Sequence, residues 1–267
     1  MNLPDYEFDL AKHNGVDIES YNSENYTLFP YPSFKAPFFN DDNLTTANRP
    51  YYKEDIEFIE VLNCAEQRWG NAGEVRDISW RLHLLLEHVR YKFQNTDSRT
   101  VVELGTGRGY MMTALAKSFP KEPIQGYLYD TFTEILDSED STDPDYISKK
   151  NFAYADGGKS FAGDLKTMLN AFSTSHNWQV CVGKLPDSIA KLTPPNSIDF
   201  LHIDLNHAES ELSAFLALSH LVTQDTLIIF DDTGGPGNER QFQVHKQIAD
   251  MASRSIMFLP TGQSVIM

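Results

Sequence analysis

From residue 101 onward, short apolar runs alternate with longer segments in which apolar residues recur every three or four positions. This alternation is typical of an α/β domain, in which helices connect the strands of a mostly parallel, doubly wound sheet. The predicted strands are residues 101–104, 124–129, 178–182, 198–203 and 226–230, followed by a hairpin of 255–259 and 263–267. The predicted helices are residues 54–68, 77–93, 110–118, 161–172, 186–192 and 238–252.

The first 55 residues or so show neither helical nor strand periodicity, but they are rich in aromatic residues, as in YTLFPYPSFKAPFF at residues 26–39. Such a segment is too aromatic for a disordered tail. It is expected to pack across the domain or against a partner subunit in a homo-oligomer; an active-site cover is the alternative. We therefore divide the chain into an N-terminal extension with helices, residues 1–95, and a ligand-binding domain, residues 96–267. The acidic residues 133–159 are either a solvated loop or a lid, and the lid is favoured.

The sequence VVELGTGRG places Glu103 before three glycines at alternate positions, Gly105, Gly107 and Gly109. Glycine lets the backbone turn sharply and approach a ligand, and a helical pattern begins at Tyr110. A dinucleotide loop has the spacing G-x-G-x-x-G, whereas the third glycine here comes one residue early, which argues against a nicotinamide-dependent oxidoreductase. The E-x-G-x-G-x-G arrangement resembles motif I of class I S-adenosylmethionine (SAM) methyltransferases. A glycine-rich turn without a ligand is the alternative.

Asp130 ends the second predicted strand, 130 − 103 = 27 residues after Glu103. That separation is one strand-and-helix unit, so the carboxylate is expected at the carboxyl edge of the sheet, beside the glycine loop. An acid at that place can accept hydrogen bonds from both ribose hydroxyls of a nucleoside cofactor. Asp130 is therefore predicted to bind the ribose of SAM.

The fourth predicted strand ends at Asp204, and the fifth ends at the adjacent Asp231 and Asp232. In a doubly wound sheet these strands lie next to the first one, so the three side chains are expected to converge. Carboxylates crowded together repel one another unless a cation neutralises them, and hard oxygen ligands favour Mg²⁺ or a similar divalent ion. The alternative is that one or more of these acids only cap the following helices.

Composition and charge argue against several classes of protein. The chain has 38 acidic and 22 basic residues, a formal net charge of −16, which argues against a nucleic-acid substrate. No apolar run approaches the length of about 18 residues that a membrane span needs. The first residues lack a signal pattern, so a cytoplasmic protein is expected. The two cysteines, Cys64 and Cys181, form neither a disulfide framework nor a zinc motif.

The segments ELGTGRGY, YDTF, FAYADGGKSF, VGKLPDSI, HIDLNHAES and IIFDDTGG follow one another between about residues 100 and 240. In this order they resemble the macrocin O-methyltransferase family of metal-dependent sugar methyltransferases and the broader cephalosporin hydroxylase-like group. The resemblance implies a seven-stranded Rossmann-like methyltransferase sheet of strand order 3-2-1-4-5-7-6, with Mg²⁺ on Asp204, Asp231 and Asp232. The SAM-binding residues that it implies are Glu103, Gly105, Thr106, Gly107, Gly109, Tyr110, Asp130, Thr131 and Phe132.

One motif departs from the family pattern. Macrocin-type enzymes generally carry D-x-D after the fourth strand, with the second acid resembling the general base, and this chain has Asn206 there. His207 instead makes D-x-N-H, which is similar to the broader group, although Leu205 replaces the usual glycine. The base and the sugar substrate both stay open, and His207 is either the base or an ordinary residue at a helix start.

The leading hypothesis is a Mg²⁺-dependent SAM methyltransferase that acts on a hydroxyl of a small molecule, either sugar-bearing or another natural product. The metal would lower the pKa of the acceptor hydroxyl, and Asp204 and His207 are the candidate catalytic residues. The alternative is a catalytically inactive SAM-fold binding protein, in which Leu205 and Asn206 mark a lost acceptor site.

Overall fold

The computed structural model describes residues 38–40, 44–46, 50–68, 77–97, 99–132, 159–194, 196–235 and 237–267. The predicted lid, residues 133–159, lies outside the described residues except for Lys159, and so does most of the aromatic opening segment. The described part of the opening segment includes an antiparallel hairpin of β1 (Phe38–Asn40) and β2 (Leu44–Thr46). The sequence did not predict this hairpin, because strands of three residues are too short for an alternating pattern to show.

The helices and strands of the domain alternate along the chain as predicted, with a further helix, Ala208–Leu218, whose range was not predicted. A 3-10 turn (Tyr51–Glu54) precedes α1 (Ile56–Glu66) and α2 (Ser79–Gln94). The sheet and its other helices are β3 (Thr100–Leu104), α3 (Tyr110–Ser118), β4 (Gln125–Asp130), α4 (Lys159–Ala171), β5 (Asn177–Val182), β6 (Phe200–Ile203), α5 (Ala208–Leu218), β7 (Leu227–Phe230), α6 (Glu239–Met251), β8 (Ile256–Phe258) and β9 (Ser264–Ile266). Where a helix was predicted over residues 186–192, the structure has a short 3-10 turn, Ile189–Lys191.

The seven strands form one sheet in the order β5-β4-β3-β6-β7-β9-β8. Strands β3 to β7 are parallel, and β9 is antiparallel to both of its neighbours, β7 and β8. Counted from β3, this is the predicted order 3-2-1-4-5-7-6, so the prediction is confirmed. The carboxyl ends of β3, β6 and β7 are thereby neighbours at one edge of the sheet.

The two faces of the sheet bury separate apolar cores, because side chains alternate along each strand. Val101 packs in the core with α1, α2, α3 and α4, whereas Val102 packs in the core with α5 and α6. Gly126 on β4 makes room for the buried Trp178 of the next strand, since a Cβ there would lie 1.9 Å from the indole ring. The sheet is therefore covered by helices on both faces.

Within the described part of the chain, no helix combines the length and the apolar character that crossing a membrane requires. Cys64 and Cys181 are both free thiols, and Cys181 is buried on β5.

Candidate active site

The glycine loop joins β3 to α3, and each glycine has a different steric role. Gly105, Gly107 and Gly109 all adopt left-handed backbone angles, with φ of 87°, 52° and 77°. A Cβ on Gly105 would lie 1.9 Å from the carbonyl oxygen of Asp204, and one on Gly109 would lie 2.5 Å from Leu165. A Cβ on Gly107 would meet nothing within 4 Å, and this residue is exposed. The open side of the loop, where a ligand can lie against the backbone, is therefore at Gly107.

Asp130 accepts two backbone hydrogen bonds, one from the glycine loop and one from the segment that follows β4. Its Oδ2 atom accepts from the Gly107 N–H at 2.7 Å, and its Oδ1 atom accepts from the Phe132 N–H at 2.7 Å. Burial raises the pKa of Asp130, although these two backbone donors counteract the shift. Phe132 is buried, with a left-handed φ of 48°, and Thr131 between Asp130 and Phe132 is partly exposed. The structure thus brings the predicted ribose-binding acid next to the glycine loop.

Glu103 forms a buried pair with a histidine that the sequence did not single out. The Nδ1 atom of His202 lies 3.0 Å from Oε1 of Glu103, and both side chains are buried. Burial raises the pKa of Glu103 despite the nearby imidazole. Burial alone would lower the pKa of His202, but Glu103, with Asp231 and Asp204, holds it above its usual value. The Nε2 atom of the same ring lies 3.9 Å from Oδ1 of Asp231, so His202 lies between Glu103 and the acidic cluster.

The three predicted metal ligands do converge. Asp204, Asp231 and Asp232 each offer a carboxylate oxygen, and these oxygens all lie within 4.8 Å of one another. Asp231 is buried, while Asp204 and Asp232 are partly exposed, so the cluster opens to the surface. Three carboxylates at this spacing are a suitable donor set for a hard divalent cation such as Mg²⁺.

The carboxylates of Asp231 and Asp232 accept hydrogen bonds from Arg81 and Gln263. Arg81 on α2 places Nη1 2.7 Å from Oδ2 of Asp231 and 2.9 Å from Oδ1 of Asp232. Gln263, just before β9, donates from Nε2 to Oδ1 of Asp231 at 3.0 Å. Burial alone would raise the pKa of Asp231, but Arg81, His202 and Gln263 hold it below its usual value. The only sequence signal for Arg81 was a cation within an amphipathic helix, which does not say what it faces.

Asn206 and His207 follow Asp204, and both have local roles in the structure. Asn206 has a left-handed φ of 57° and donates from Nδ2 to Oδ1 of Asp204 at 3.0 Å. His207 is the N-cap of α5, where Nδ1 accepts from the Ser210 backbone N–H at 3.3 Å. With Nδ1 accepting, the proton of a neutral ring lies on Nε2, which is 3.6 Å from Glu209. This arrangement is that of a residue at a helix start, in which Nδ1 is engaged in the cap.

A second buried polar chain supports the segment that carries Asp231 and Asp232. His245 on α6 lies 2.7 Å from Oε2 of Glu211 and 2.8 Å from the Thr233 hydroxyl. That hydroxyl lies 2.6 Å from the Ser264 hydroxyl, and all of these groups are buried. Satisfied polar networks in a protein interior favour one arrangement of the backbone that carries them. Thr233 is therefore anchored one residue beyond the acidic cluster.

Comparison with known proteins agrees with this geometry. A family described as a methyltransferase domain matches residues 102–233. No curated protein sequence matches the chain.

Three solved structures with a similar fold are distant from this chain in sequence. The calicheamicin methyltransferase CalS11 has a TM-score of 0.58 at 14% identity, with 82% of this chain and 93% of that chain covered. The O-methyltransferase NovP has a TM-score of 0.54 at 17% identity, covering 70% and 78%. An apo structure of CalS11, described as a TDP-rhamnose 3'-O-methyltransferase, has a TM-score of 0.52 at 15% identity, covering 82% and 95%. At such identities the likeness shows the fold, and the family match adds the class of protein: residues 102–233 form a methyltransferase domain of the class I SAM-dependent type.

Proposed function

We propose that this methyltransferase acts on a hydroxyl group of a small molecule, sugar-bearing or another natural product, and that it requires Mg²⁺ or a similar divalent cation. The observation that carries the proposal is the cluster of Asp204, Asp231 and Asp232 directly beside the glycine loop. The carbonyl oxygen of Asp204 approaches Gly105 so closely that the cluster and the loop share one edge of the sheet. CalS11 and NovP, which are described as O-methyltransferases, support the same acceptor chemistry.

The residues that would hold SAM are those of the loop and of the end of β4. Gly107 leaves space for the methionyl part, and the Asp130 carboxylate lies beside it for the ribose. We propose the same cofactor site for Glu103, Gly105, Thr106, Gly109, Tyr110, Thr131 and Phe132. SAM supplies an activated methyl group, so the protein must mainly orient the acceptor oxygen and remove its proton.

The acidic cluster, together with a metal, is proposed to help remove the proton from the acceptor hydroxyl. When bound, a divalent cation lowers the pKa of a hydroxyl group at its open coordination positions. Asp204 and Asp232 are partly exposed and would face the acceptor, whereas the buried Asp231 would anchor the ion. His207 stays a candidate base, because it follows Asp204 by three residues at the same edge.

One experiment tests the cofactor, the metal requirement and the class of acceptor independently. Chelator-treated protein would be given labelled SAM and a panel of nucleoside diphosphate sugars and phenols, with and without added Mg²⁺. We expect label on a hydroxyl oxygen only when Mg²⁺ is added, and loss of both Mn²⁺ binding and turnover in Asp204→Asn. Full-rate transfer in the presence of chelator would contradict the metal role, and transfer to nitrogen would contradict the acceptor class. SAM binding without transfer to any acceptor of the panel would favour the inactive binding protein.

A further inference from the structure

The acidic cluster already contains a cation that belongs to the protein. A single nitrogen of Arg81, Nη1, contacts Oδ2 of Asp231, Oδ1 of Asp232 and the backbone oxygen of Asp231, the last at 3.2 Å. The side chains of Arg81, Asp231 and Asp232 are only 15%, 10% and 23% exposed, so water screens these ion pairs weakly. One guanidinium thus bridges two of the three proposed metal ligands.

The ligand atoms of Asp231 show why this bridge matters for metal binding. Its Oδ1 accepts from Gln263 and its Oδ2 from Arg81, so both oxygens already have a donor. A divalent cation is held about 2 Å from its carboxylate oxygens. An ion bound to Asp231 and Asp232 would therefore lie beside the Arg81 nitrogen, where two positive charges repel strongly in a partly buried site.

We propose that Arg81 is the resident counter-ion of the acidic cluster, and that a divalent cation binds there by exchanging with its guanidinium. Arg81 is a positioning residue in this proposal: without metal it keeps the two aspartates together, and with metal it moves away from them. The exchange rests on the proposed metal dependence, whereas the counter-ion role does not. Arg81 also lies on α2, outside the matched methyltransferase domain, so the N-terminal extension contributes to the site.

Three variants test the proposal. Arg81→Met removes the charge but keeps an apolar side chain of similar length, and Arg81→Lys keeps the charge without the planar fork. Arg99→Met is the matched control, because Arg99 is similarly buried at 11% exposure and pairs with Glu122 at 3.0 Å, away from the cluster. The readouts are the Mn²⁺ affinity of each protein by calorimetry and its melting temperature in chelator and in Mn²⁺.

In Arg81→Met we expect Mn²⁺ to bind roughly tenfold or more tightly than in the wild type, because a competing positive charge is gone. Arg81→Lys should lie between the two, and Arg99→Met should bind Mn²⁺ as the wild type does. In chelator, Arg81→Met should melt at a lower temperature than the wild type, because two carboxylates lose their partner, and Mn²⁺ should recover most of that loss. Unchanged or weaker Mn²⁺ binding by Arg81→Met, when the wild type binds the ion, would overturn the exchange.

A second comparison keeps the counter-ion role testable without any metal. In chelator, the double variant Arg81→Met with Asp232→Asn should melt above Arg81→Met alone, because one uncompensated charge has been removed. Failure of Asp232→Asn to raise the melting temperature would overturn the counter-ion role. Absence of Mn²⁺ binding in every variant would instead contradict the metal in the proposed function and with it the exchange, while the melting comparison would still decide the counter-ion role.

Discussion

The Nδ1 atom of His202 lies 3.0 Å from Oε1 of Glu103, because β3 and β6 place these two residues directly opposite each other in parallel register. Breaking a buried pair of this kind leaves an uncompensated partner and costs about 3–5 kcal/mol, whereas apolar replacement of both partners is often close to neutral. We expect His202→Leu to lose stability of this order and the double variant with Glu103→Leu to recover much of it. Urea unfolding of the four proteins of the cycle measures this coupling, and additive losses would contradict it.

Gly107→Val should weaken SAM binding, because its side chain would enter the open space beside the loop. Gly237→Val is the matched control. Both glycines have a left-handed φ, 52° and 89°, and neither has a neighbour within 4 Å of an added Cβ. The two variants should therefore lose similar stability from backbone strain, but only Gly107→Val should lose SAM affinity in calorimetry. Equal SAM affinity in the two variants would remove Gly107 from the cofactor site.

Asp130→Ala should also weaken SAM binding, by about 1–3 kcal/mol. The substitution removes the proposed ribose acceptor and both of its backbone hydrogen bonds, to Gly107 in the loop and to Phe132. The fold should survive, since Asp130 lies at the end of its strand. Asp164→Ala, at an exposed position of α4, serves as the control for loss of an acid. A variant that binds SAM like the wild type would show that Asp130 does not contact the cofactor.

Two replacements of His207 separate a base from a helix cap. The ring caps α5 through Ser210, and asparagine is a good N-cap whereas alanine is not. We expect His207→Ala to lose about 1 kcal/mol of stability and His207→Asn to retain most of it. The base role further predicts that both variants lose turnover by roughly 10²–10⁴-fold, with partial recovery as the pH rises. Wild-type turnover in His207→Asn would leave the cap as the role of this residue.

The ion pair of Lys53 and Asp77 should make stability sensitive to acid. Nζ of Lys53 lies 2.7 Å from Oδ2 of Asp77. Burial alone would raise the pKa of Asp77, but Lys53 and Ser79 hold it below the ordinary value of 3.8. A lowered folded-state pKa stabilises the protein above the unfolded value, and this stability is lost as the pH falls below about 4 toward the folded value.

Urea unfolding between pH 5 and pH 3 tests whether stability falls with pH in this way. The wild type should lose more stability over that interval than Asp77→Asn does, and Lys53→Gln should reduce the difference between them. The effect should be modest, because the Asp77 side chain is 41% exposed and therefore well solvated. Identical pH dependence in the wild type and Asp77→Asn would contradict the assignment.

The sequence predicted the sheet and the acidic cluster for the same physical reason. Carboxyl ends of parallel strands meet at one edge, so an acid directly after each apolar run is placed by the topology alone. Asp204 and Asp231 follow their strands without an intervening residue, and Asp232 comes next, so their convergence needs no knowledge of side-chain packing. The glycine loop is predictable in the same way, because its spacing alone requires a tight turn.

Arg81 and Gln263 could not be placed from sequence. They lie 231 − 81 = 150 and 263 − 231 = 32 residues from Asp231, and their contacts depend on how α2 and the terminal hairpin pack on the sheet. The position of His202 could be predicted more closely than those of Arg81 and Gln263. It lies in an apolar strand, two residues before Asp204. The register of β3 and β6 places it opposite Glu103, but this register follows only from the structure. The capping role of His207 depends on a rotamer, which spacing does not determine.

The close approach of Gly105 to the carbonyl oxygen of Asp204, where a Cβ would lie only 1.9 Å away, has a consequence for protein engineering. Residue 105 and the backbone at residue 204 must be exchanged together in any chimera with another methyltransferase, since a side chain on one segment would push the other out of place. Recombination points before residue 100 or after residue 207 keep the two segments together and should give folded hybrids. A point between these two segments should work only when the donor also has glycine at the position of Gly105.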